Sequence, residues 1–376
     1  MCFVCGEAGQ RMLSEIAGNT EVKGYEPKQR KLCTGHFGKI YALHWGSDSR
    51  HIVTASQDGK LIVWNGLSGN KQLAITLNSA WVMTCAFSPS YDYIASGGLD
   101  NTVSIFRTTA KDNNAPNGGK FKSKVELLFF LKKKKNLMYL KGGKKKKKNK
   151  LFVGWKLIKE LYRELEKHDG YLSCARFVDE SNSEIISSSG DGTCILWDIE
   201  NRTPKSVYAD HTSDVMCVSL NQKNPPLFVS GSVDSTAKVW DTRKGEHAVA
   251  NFTGHTADVN SVQWFPDANC VITGSDDGSV RLFDIRSYRQ INHYVNQSNK
   301  SLHSEDPAGV TSVAASKSGH YIFTAYDNGH VYMWSTLRGD YLYDLPHDSR
   351  VSCLGVSDDG YALATGCWDF NLRVFA

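Results

Sequence analysis

Short runs of alternating apolar and polar residues, separated by turn residues, follow one another along most of the chain. Residues 211–241 contain three such runs, with a Pro-rich turn after the first and a tight turn that carries Asp234 after the second. Alternation over four to eight residues is typical of half-buried strands, and closely spaced turns indicate antiparallel neighbours. The pattern predicts three strands, with a fourth before the next His. A sheet this small cannot bury both of its faces without neighbours.

The same pattern recurs seven times along the chain. Six repeats have an Asp in the tight turn, one has Asn328, and an aromatic residue follows six positions later. A His precedes the turn residue by 22 or 23 positions in five repeats, and Trp197 and Trp240 are 43 residues apart. Repeats of about 40 residues with four strands each are typical of a propeller, in which every blade packs on its neighbours. The sequence therefore predicts an all-β, seven-bladed β-propeller.

The repeated polar residues indicate a structural role. A catalytic site is needed once, whereas these residues recur five to seven times. The turn Asp can accept a hydrogen bond from the His of the preceding loop, a strand hydroxyl can link the His onward, and a Trp N–H can end the relay. The residues assigned to this relay are His36, Asp58, Trp64, Asp100, His168, Asp191, Trp197, His211, Asp234, Trp240, His255, Asp277, His347 and Asp369.

The last repeat ends at Phe375 and lacks a fourth strand. Residues 31–33, near the start of the chain, are the predicted replacement. Pairing the N-terminal strand with the last blade closes the ring and leaves no open edge there. We expect an N-terminal segment at 1–30, with a short or absent helix, followed by the propeller at 31–376.

A lysine-rich insert interrupts blade two, where Phe106 and Trp197 are 91 residues apart. Residues 132–150 contain eleven Lys and no acidic residue. We expect residues 109–165 to form a disordered loop, or to arise from how the coding sequence was assembled. The alternative is a nuclear-localisation signal or a patch for acidic lipids. Because the insert follows the third strand of its blade, it is predicted to lie away from the Asp and His turns.

Composition narrows the function classes. The net charge of +5 comes from the insert, and the rest of the chain is slightly acidic, so no nucleic-acid partner is implied. The ten Cys lie singly, most of them in predicted strands, and are expected to be small buried apolar residues in a reducing compartment. No secretory signal and no run of about 18 apolar residues is present, so no membrane span is predicted.

No catalytic or nucleotide-binding motif accompanies the repeats. The chain has no G-x-x-x-x-G-K-[ST] loop, no G-x-S-x-G and no H-E-x-x-H. Cys2 and Cys5 form a C-x-x-C without a second pair of ligands, which is a weak metal signal. We therefore expect no enzyme activity, no catalytic residue, no metal and no cofactor.

Function should then come from residues that do not repeat, held on a rigid surface. Aromatic, Met and charged residues lie in or beside the turns that hold the Asp and His, which places them on one rim of the ring. This mixture is typical of a protein-binding face, whereas packing between strands is the alternative for its apolar members. The residues are Lys39, Tyr41, Lys60, Trp81, Met83, Leu99, Asn101, Tyr171, Asp214, Met216, Asp258, Asn260, Asp276 and Trp368.

Several stretches resemble the WD-repeat (WD40) beta subunits of heterotrimeric G proteins, most nearly the plant form. They are residues 39–45 (KIYALHW), 55–64 (ASQDGKLIVW), 81–89 (WVMTCAFSP), 97–101 (GGLDN), 188–191 (SSGD), 193–198 (TCILWD), 274–277 (GSDD) and 351–355 (VSCLG). Other WD-repeat proteins share the spacing of Asp and Trp but not WVMTC or GGLDN. The resemblance covers residues 31–376 apart from the insert.

The resemblance implies a beta subunit that binds a GDP-loaded alpha subunit on one propeller face. It also implies a dimer with a small, lipidated gamma subunit, which signals to effectors through the same face. The alpha-contact residues of the family match the rim residues above except Asn260, and they add Lys71. The alternative function is a general WD-repeat scaffold for a kinase- or ribosome-associated complex.

The N-terminus departs from the family, which has a longer amphipathic helix that forms a coiled coil with gamma. Here only residues 11–17 have a helical pattern, without sustained heptads. Two alternatives follow: gamma does not bind, or it binds on the side and opposite face of the propeller. Through lipidated partners we expect the chain in the cytoplasm and, peripherally, at the inner face of the plasma membrane. A nuclear pool is expected if the lysine runs act as a signal.

Overall fold

The alternating runs form short antiparallel strands in a computed structural model of the chain. It describes residues 26–108, 161–296 and 307–376, and the backbone of residues 156–158. Seven sheets follow one another along the described residues, and their first strands contact one another in sequence around a central channel. The predicted all-β, seven-bladed propeller is confirmed. None of the described residues forms a helix that is long and apolar enough to cross a membrane.

The strands are given in chain order, blade by blade. The chain begins with β1 (Gln29–Thr34). Blade one has β2 (Ile40–Trp45), β3 (His51–Ser56), β4 (Lys60–Asn65) and β5 (Lys71–Thr76), and blade two has β6 (Val82–Phe87), β7 (Tyr93–Gly98) and β8 (Thr102–Arg107). Next come β9 (Lys156–Ile158) and β10 (Leu161–Glu166), and blade three has β11 (Leu172–Phe177), β12 (Glu184–Ser189), β13 (Cys194–Asp198) and β14 (Thr203–Tyr208).

The second half of the ring has the same order. Blade four has β15 (Val215–Leu220), β16 (Leu227–Ser232), β17 (Ala237–Asp241) and β18 (Ala250–Phe252), and blade five has β19 (Val259–Trp264), β20 (Cys270–Ser275), β21 (Ser279–Asp284) and β22 (Arg289–Val295). Blade six has β23 (Val310–Ala315), β24 (Tyr321–Tyr326), β25 (His330–Ser335) and β26 (Tyr341–Pro346), and blade seven has β27 (Val351–Val356), β28 (Leu363–Cys367) and β29 (Asn371–Phe375).

The predicted closure of the ring is confirmed. Strand β1 pairs antiparallel with β29, and Lys28 and Ala376 exchange both of their backbone hydrogen bonds. Cys33 of β1 is buried among the side chains between blades seven and one. The first described strand therefore supplies the fourth strand of blade seven, and the propeller begins at Gln29 rather than at residue 31. Residues 1–25 of the predicted N-terminal segment lie outside the described residues.

Two strands fall within the predicted insert, 109–165. Strand β10 pairs antiparallel with β8 and is the outer strand of blade two, with Leu165 buried against blade three. The backbone of β9 pairs in parallel with β5 of blade one. The predicted C-terminal boundary of the insert is therefore wrong, because a fourth strand carries none of the His, Asp or Trp markers by which a repeat is recognised. The lysine runs lie outside the described residues.

Apolar side chains fill every boundary between neighbouring blades. Seven buried clusters are found among the described residues, and each combines two successive blades, including blades seven and one. Eight Cys are buried and unpaired within these residues, as predicted for small apolar side chains. Burial raises the pKa of the Cys353 thiol to about 12. Each sheet thus buries both faces by packing between two others.

The predicted relay is present in blades one, three and four. In blade four the ring of His211 bonds to Asp234 at 2.7 Å and to Ser230 at 2.7 Å, and the indole N–H of Trp240 donates to Ser230 at 2.8 Å. The matching His–Asp distances are 3.1 Å for His36 and 2.7 Å for His168. Blade five keeps the bonds of His255 to Asp277 and Thr273 but has Phe283 at the Trp position.

The relay Asp residues remain ionised. Burial favours the neutral acid, but hydrogen bonds from the His ring and from the turn outweigh it and hold the pKa of Asp58, Asp234 and Asp277 below the usual value. The Asp accepts a hydrogen bond from the Nδ1–H of the His. The Nε2 atom of the same His ring then accepts a hydrogen bond from the strand hydroxyl. Burial lowers the pKa of His211, consistent with a neutral ring.

Blades seven and two depart from the predicted relay. His347 donates from Nδ1 to the carbonyl of Leu345 at 2.9 Å, and Asp369 pairs with Arg373 at 2.6 Å instead. Arg373 therefore replaces the His as the partner of Asp369. In blade two Asp100 is exposed and has no His within reach, so its predicted relay role is wrong there. Its only described hydrogen bond is a long one, 3.5 Å, from the backbone N–H of Thr102.

The relay predicts unequal effects of two Asp substitutions. Asp234→Ala should lower the free energy of unfolding by about 2 kcal/mol, because His211 and the backbone N–H of Thr212 lose a charged acceptor. Asp100→Ala is the matched control and should change it by less than about 0.5 kcal/mol. Denaturant unfolding of both variants measures the difference. Equal losses would contradict a stabilising relay.

Blade seven predicts a pH effect. Burial, together with the charge of Arg373, lowers the pKa of His347 to about 4. The unfolded chain gains a proton at this residue below about pH 6.5, whereas the folded chain does not until about pH 4. The contribution of the neutral His347 ring to the free energy of unfolding is therefore complete above about pH 6.5, and it is lost as the pH falls towards 4. His347→Gln should flatten this part of the stability–pH curve.

Urea midpoints between pH 4 and pH 7.5 check this expectation. The control is His320→Gln, because the His320 ring contacts Tyr321 and has no ion pair with a described residue; the control curve should follow the wild type. A His347→Gln curve as steep as the wild-type curve would show that other groups carry the acid sensitivity.

Candidate protein-binding face

One backbone hydrogen bond recurs in all seven blades and builds a ring of side chains around one mouth of the channel. The residue before the first strand accepts from the residue that precedes the turn Asp or Asn, at 2.9–3.1 Å. We call the surface that these pairs form the rim face. The pairs are Lys39 and Gln57, Trp81 and Leu99, Tyr171 and Gly190, Asp214 and Val233, Asp258 and Asp276, Gly309 and Asp327, and Arg350 and Trp368.

A β-bulge adds a second ring just inside the first. The register of every first strand shifts around its second residue. A bulge re-aims a side chain without ending the sheet. Tyr41, Met83, Met216 and Asn260 occupy four of these seven positions. Most predicted rim residues thus lie at three repeated positions of a rigid frame, although the residues themselves differ from blade to blade.

An aromatic and cationic group spans blades seven, one and two. Tyr41 lies between two indoles, with ring centroids 6.5 Å from Trp81 and 6.1 Å from Trp368. The ammonium of Lys39 lies 3.7 Å from the centroid of the Trp368 ring, and the Arg350 guanidinium lies 5.0 Å from it. Such cation–π contacts fix the rings while they leave the cations near solvent. The buried indole N–H of Trp368 has no acceptor among the described residues.

Two apolar side chains extend this group outwards. Trp81 is 45% exposed and Leu99 is 52% exposed, beside one another at blade two. Burial of each side chain against a partner would contribute to the binding free energy, since apolar area removed from water contributes about 25 cal/mol per Å². The strand-packing alternative therefore does not account for these two residues.

Blades three and four contribute a polar group. The hydroxyl of Tyr171 donates to Asp214 at 2.9 Å and lies 3.5 Å from the sulfur of Met216. Partial burial, and then the hydrogen bond to Asp214, raise the pKa of Tyr171 to about 12. The phenol is therefore neutral and holds the Asp214 carboxylate in one position at the channel mouth.

Blades five and six contribute an acidic group. Asn260 donates to Asp276 at 2.6 Å. The loss of hydration around Asp276, and then the nearby Asp258 and Asp327, raise the pKa of its carboxyl. Repulsion among these carboxylates makes the sector favourable for a cation. The rim face is thus divided into an aromatic and apolar part at blades seven, one and two and an acidic part at blades four to six, and the charge of Arg350 at their boundary opposes the rise in the pKa of Asp276.

Three predicted residues lie outside the two rings. Lys71 is on the outer strand of blade one, where its ammonium donates to the carbonyl of Gly35 at 2.9 Å and lies 5.2 Å from the Trp64 ring centroid. Lys60 begins β4 and lies 5.6 Å from the ring of Phe37. Asn101 has a positive φ of 61° in the turn of blade two, a conformation that Asn tolerates.

Sequence reasoning missed Arg350 and Asp327, and also Phe37, which is 81% exposed beside Lys60. Arg350 occupies the position of Lys39, Trp81 and Tyr171, directly before a first strand. Asp327 occupies the position of Asp276, directly before the turn residue. Aligning the seven repeats on these two positions, rather than on His, Asp and Trp alone, would have found both.

The rim face is suited to binding a protein. It combines exposed apolar anchors, fixed aromatic rings and charges of both signs. No cluster of three or more His, Cys, Asp or Glu side chains in the described part of the chain could hold a metal ion. The hydroxyl, imidazole and carboxylate groups of the relay form hydrogen bonds with one another inside the blades.

Comparisons with known proteins agree with this architecture. The family described as "G protein beta WD-40 repeat protein" matches residues 157–376, and the "WD domain, G-beta repeat" matches residues 27–65 and 71–107. The chain is 41% identical to a guanine nucleotide-binding protein subunit beta of Solanum tuberosum, with 95% of this chain and 89% of that protein covered. It is 42% identical to the subunit beta of Arabidopsis thaliana, covering 91% and 81%, and 38% identical to that of Oryza sativa subsp. japonica, covering 96% and 87%.

Proposed function

The chain belongs to the family of G-protein beta subunits, and we propose that its rim face binds the GDP-bound alpha subunit of a heterotrimeric G protein. The proposed contact residues are the predicted rim residues together with Arg350 and Asp327. Together with a gamma subunit, the chain then passes the signal to effectors through the same face. The relatives are named as beta subunits, which favours this function over a general scaffold.

The division of the rim face is the observation that carries the proposal. Trp81 and Leu99 offer an apolar anchor on one side, and Asp214, Asp258 and Asp276 offer carboxylates on the other. Aromatic anchors in a well-packed centre supply most of the energy of an interface, and charges around them supply orientation and rate. A partner with an apolar segment next to a basic segment fits this surface in one orientation.

The rim face is rigid, and this limits how binding to it can be switched on and off. The paired backbone bonds and the relay hold the rim in one conformation, so the change must come from the partner. Nucleotide exchange remodels the switch segments of an alpha subunit and withdraws its contacts. Effectors then compete for the same uncovered residues.

The gamma subunit is proposed to contact the opposite face and the side of blades five to seven. Large apolar side chains are exposed there, at Tyr288 (62%), Tyr341 (55%) and Leu342 (41%). Exposed aromatic side chains grouped on one side are typical of a protein contact. We also propose that the chain reaches the membrane only through lipidated partners and has no catalytic step of its own.

Removal of the apolar anchor and of one carboxylate of the rim face tests the proposed binding site for the alpha subunit. Trp81→Ala combined with Asp258→Ala should weaken binding of a GDP-loaded alpha subunit at least 100-fold, because each of two central contacts contributes about 2 kcal/mol. The affinity of the complex with gamma is measured by biolayer interferometry. The control is Leu67→Ala, which removes an apolar side chain that is 62% exposed in the turn between β4 and β5, on the opposite face of blade one.

The control variant should bind the alpha subunit as the wild type does. A double variant of wild-type affinity would place the alpha subunit elsewhere on the chain. A wild-type complex that binds neither GDP-loaded alpha nor alpha with a GTP analogue would reject the proposed function itself.

A second double variant, compared with the first, tests the proposed gamma contact. Tyr288→Ala combined with Tyr341→Ala should lower co-purification of gamma by at least tenfold, because the exposed aromatic surface is lost. The Trp81 and Asp258 double variant should retain gamma in the same experiment. Full retention of gamma by the Tyr288 and Tyr341 double variant would exclude this surface.

A further inference from the structure

Blade two has a cavity where five other blades hold an imidazole ring. In blades one, three, four, five and seven the His lies four residues before the first strand. In blade two that position is Asn78, which is exposed. The loop has the same length as in blades one and three, with five residues between β5 and β6, as between β1 and β2. The cavity measures about 360 Å³ and includes Asn78 in its lining.

The other relay positions of blade two also line this cavity. Ser96 matches the strand hydroxyls of Thr54 and Ser230, and Asp100 matches the turn carboxylates. Ser96 is only 2% exposed and lines the cavity. One oxygen of Asp100 accepts the long bond from Thr102, and the other has no partner in the described part of the chain. A hydroxyl and a carboxylate that line the same cavity can donate to and accept from one ligand.

The same chain shows what such a pair of groups recognises. In blade five a ring with two nitrogens lies between Thr273 and Asp277, at 2.7 and 2.9 Å, although Phe283 stands at the Trp position. Blade two has the same set, with Ser96, Asp100 and Phe106. The missing Trp N–H is therefore no obstacle to binding an imidazole ring.

We propose that the cavity of blade two binds an imidazolyl group, with one ring N–H donating to Asp100 and the other nitrogen accepting from the Ser96 hydroxyl. Phe106 supplies the apolar wall. The cavity opens beside Trp81 and Asp100, on the rim face. The group can therefore come from a free imidazole compound or from a His side chain of a docked protein. The inference is independent of the proposed function, since it is tested on the chain without an alpha subunit.

Titration with imidazole, followed by amide NMR, tests the site. We expect saturable shifts at the amides of residues 96–101, and at least a tenfold loss of affinity in Ser96→Ala combined with Asp100→Asn. 1-Methylimidazole, which lacks the N–H donor in its neutral form, should bind at least tenfold more weakly at pH 8. Affinity for imidazole that survives both the double variant and the methyl group would overturn the proposal.

Restoring the missing residue gives an independent readout. Asn78→His should raise the unfolding midpoint by about 2 °C and abolish the imidazole-induced shifts, because the new ring fills the cavity. A variant that leaves both the midpoint and the shifts unchanged would overturn the assignment of the cavity as a His site.

A pair of probes separates the two sources. N-Acetylhistidine methylamide presents the ring on a peptide backbone. Binding of this compound as well as imidazole supports a side chain from a partner, and binding of imidazole alone supports a free compound. If neither probe binds wild type, while imidazole stabilises the matching blade-four variant His211→Gly, the blade-two site is rejected.

Discussion

The structure depends on one constraint, which is that a four-stranded sheet of this size cannot bury both faces without a neighbour on each side. Seven apolar clusters meet this need among the described residues, one at each boundary between blades. The pairing of β1 with β29 satisfies it at the last boundary. Because each cluster belongs to two blades, the loss of one blade would expose two others.

The closed ring makes a rigid binding surface from short turns. The recurring backbone bond and the bulge of each first strand repeat the same geometry seven times, while the side chains at these positions differ. Scaffold and function are therefore separated within each repeat. His211, Asp234 and Trp240 hold blade four together, whereas Asp214 and Met216 of the same blade lie on the rim face. This separation lets the rim face vary without loss of the fold.

Blades two and seven show how far the relay can be changed. In blade seven Arg373 takes the place of the His as partner of Asp369, so the turn keeps a buried ion pair. In blade two neither a His nor an Arg pairs with the turn Asp, and the apolar packing of Val103 and Ile105 against blade three holds the sheet. The relay is thus an addition to apolar packing and not a requirement for every blade. Blade two also carries Trp81 and Leu99, the exposed apolar pair of the rim face.

The sequence by itself determined the fold, the number of blades and the closure of the ring, because periodic alternation and the spacing of His, Asp and Trp are local properties that survive in a linear chain. It also placed most rim residues, since they adjoin those markers. Only the tertiary structure decided that β10 belongs to blade two and that His347 turns away from Asp369. These features depend on pairing and contacts between residues that are distant in the chain. No local sequence pattern specifies which strand or side chain pairs with which.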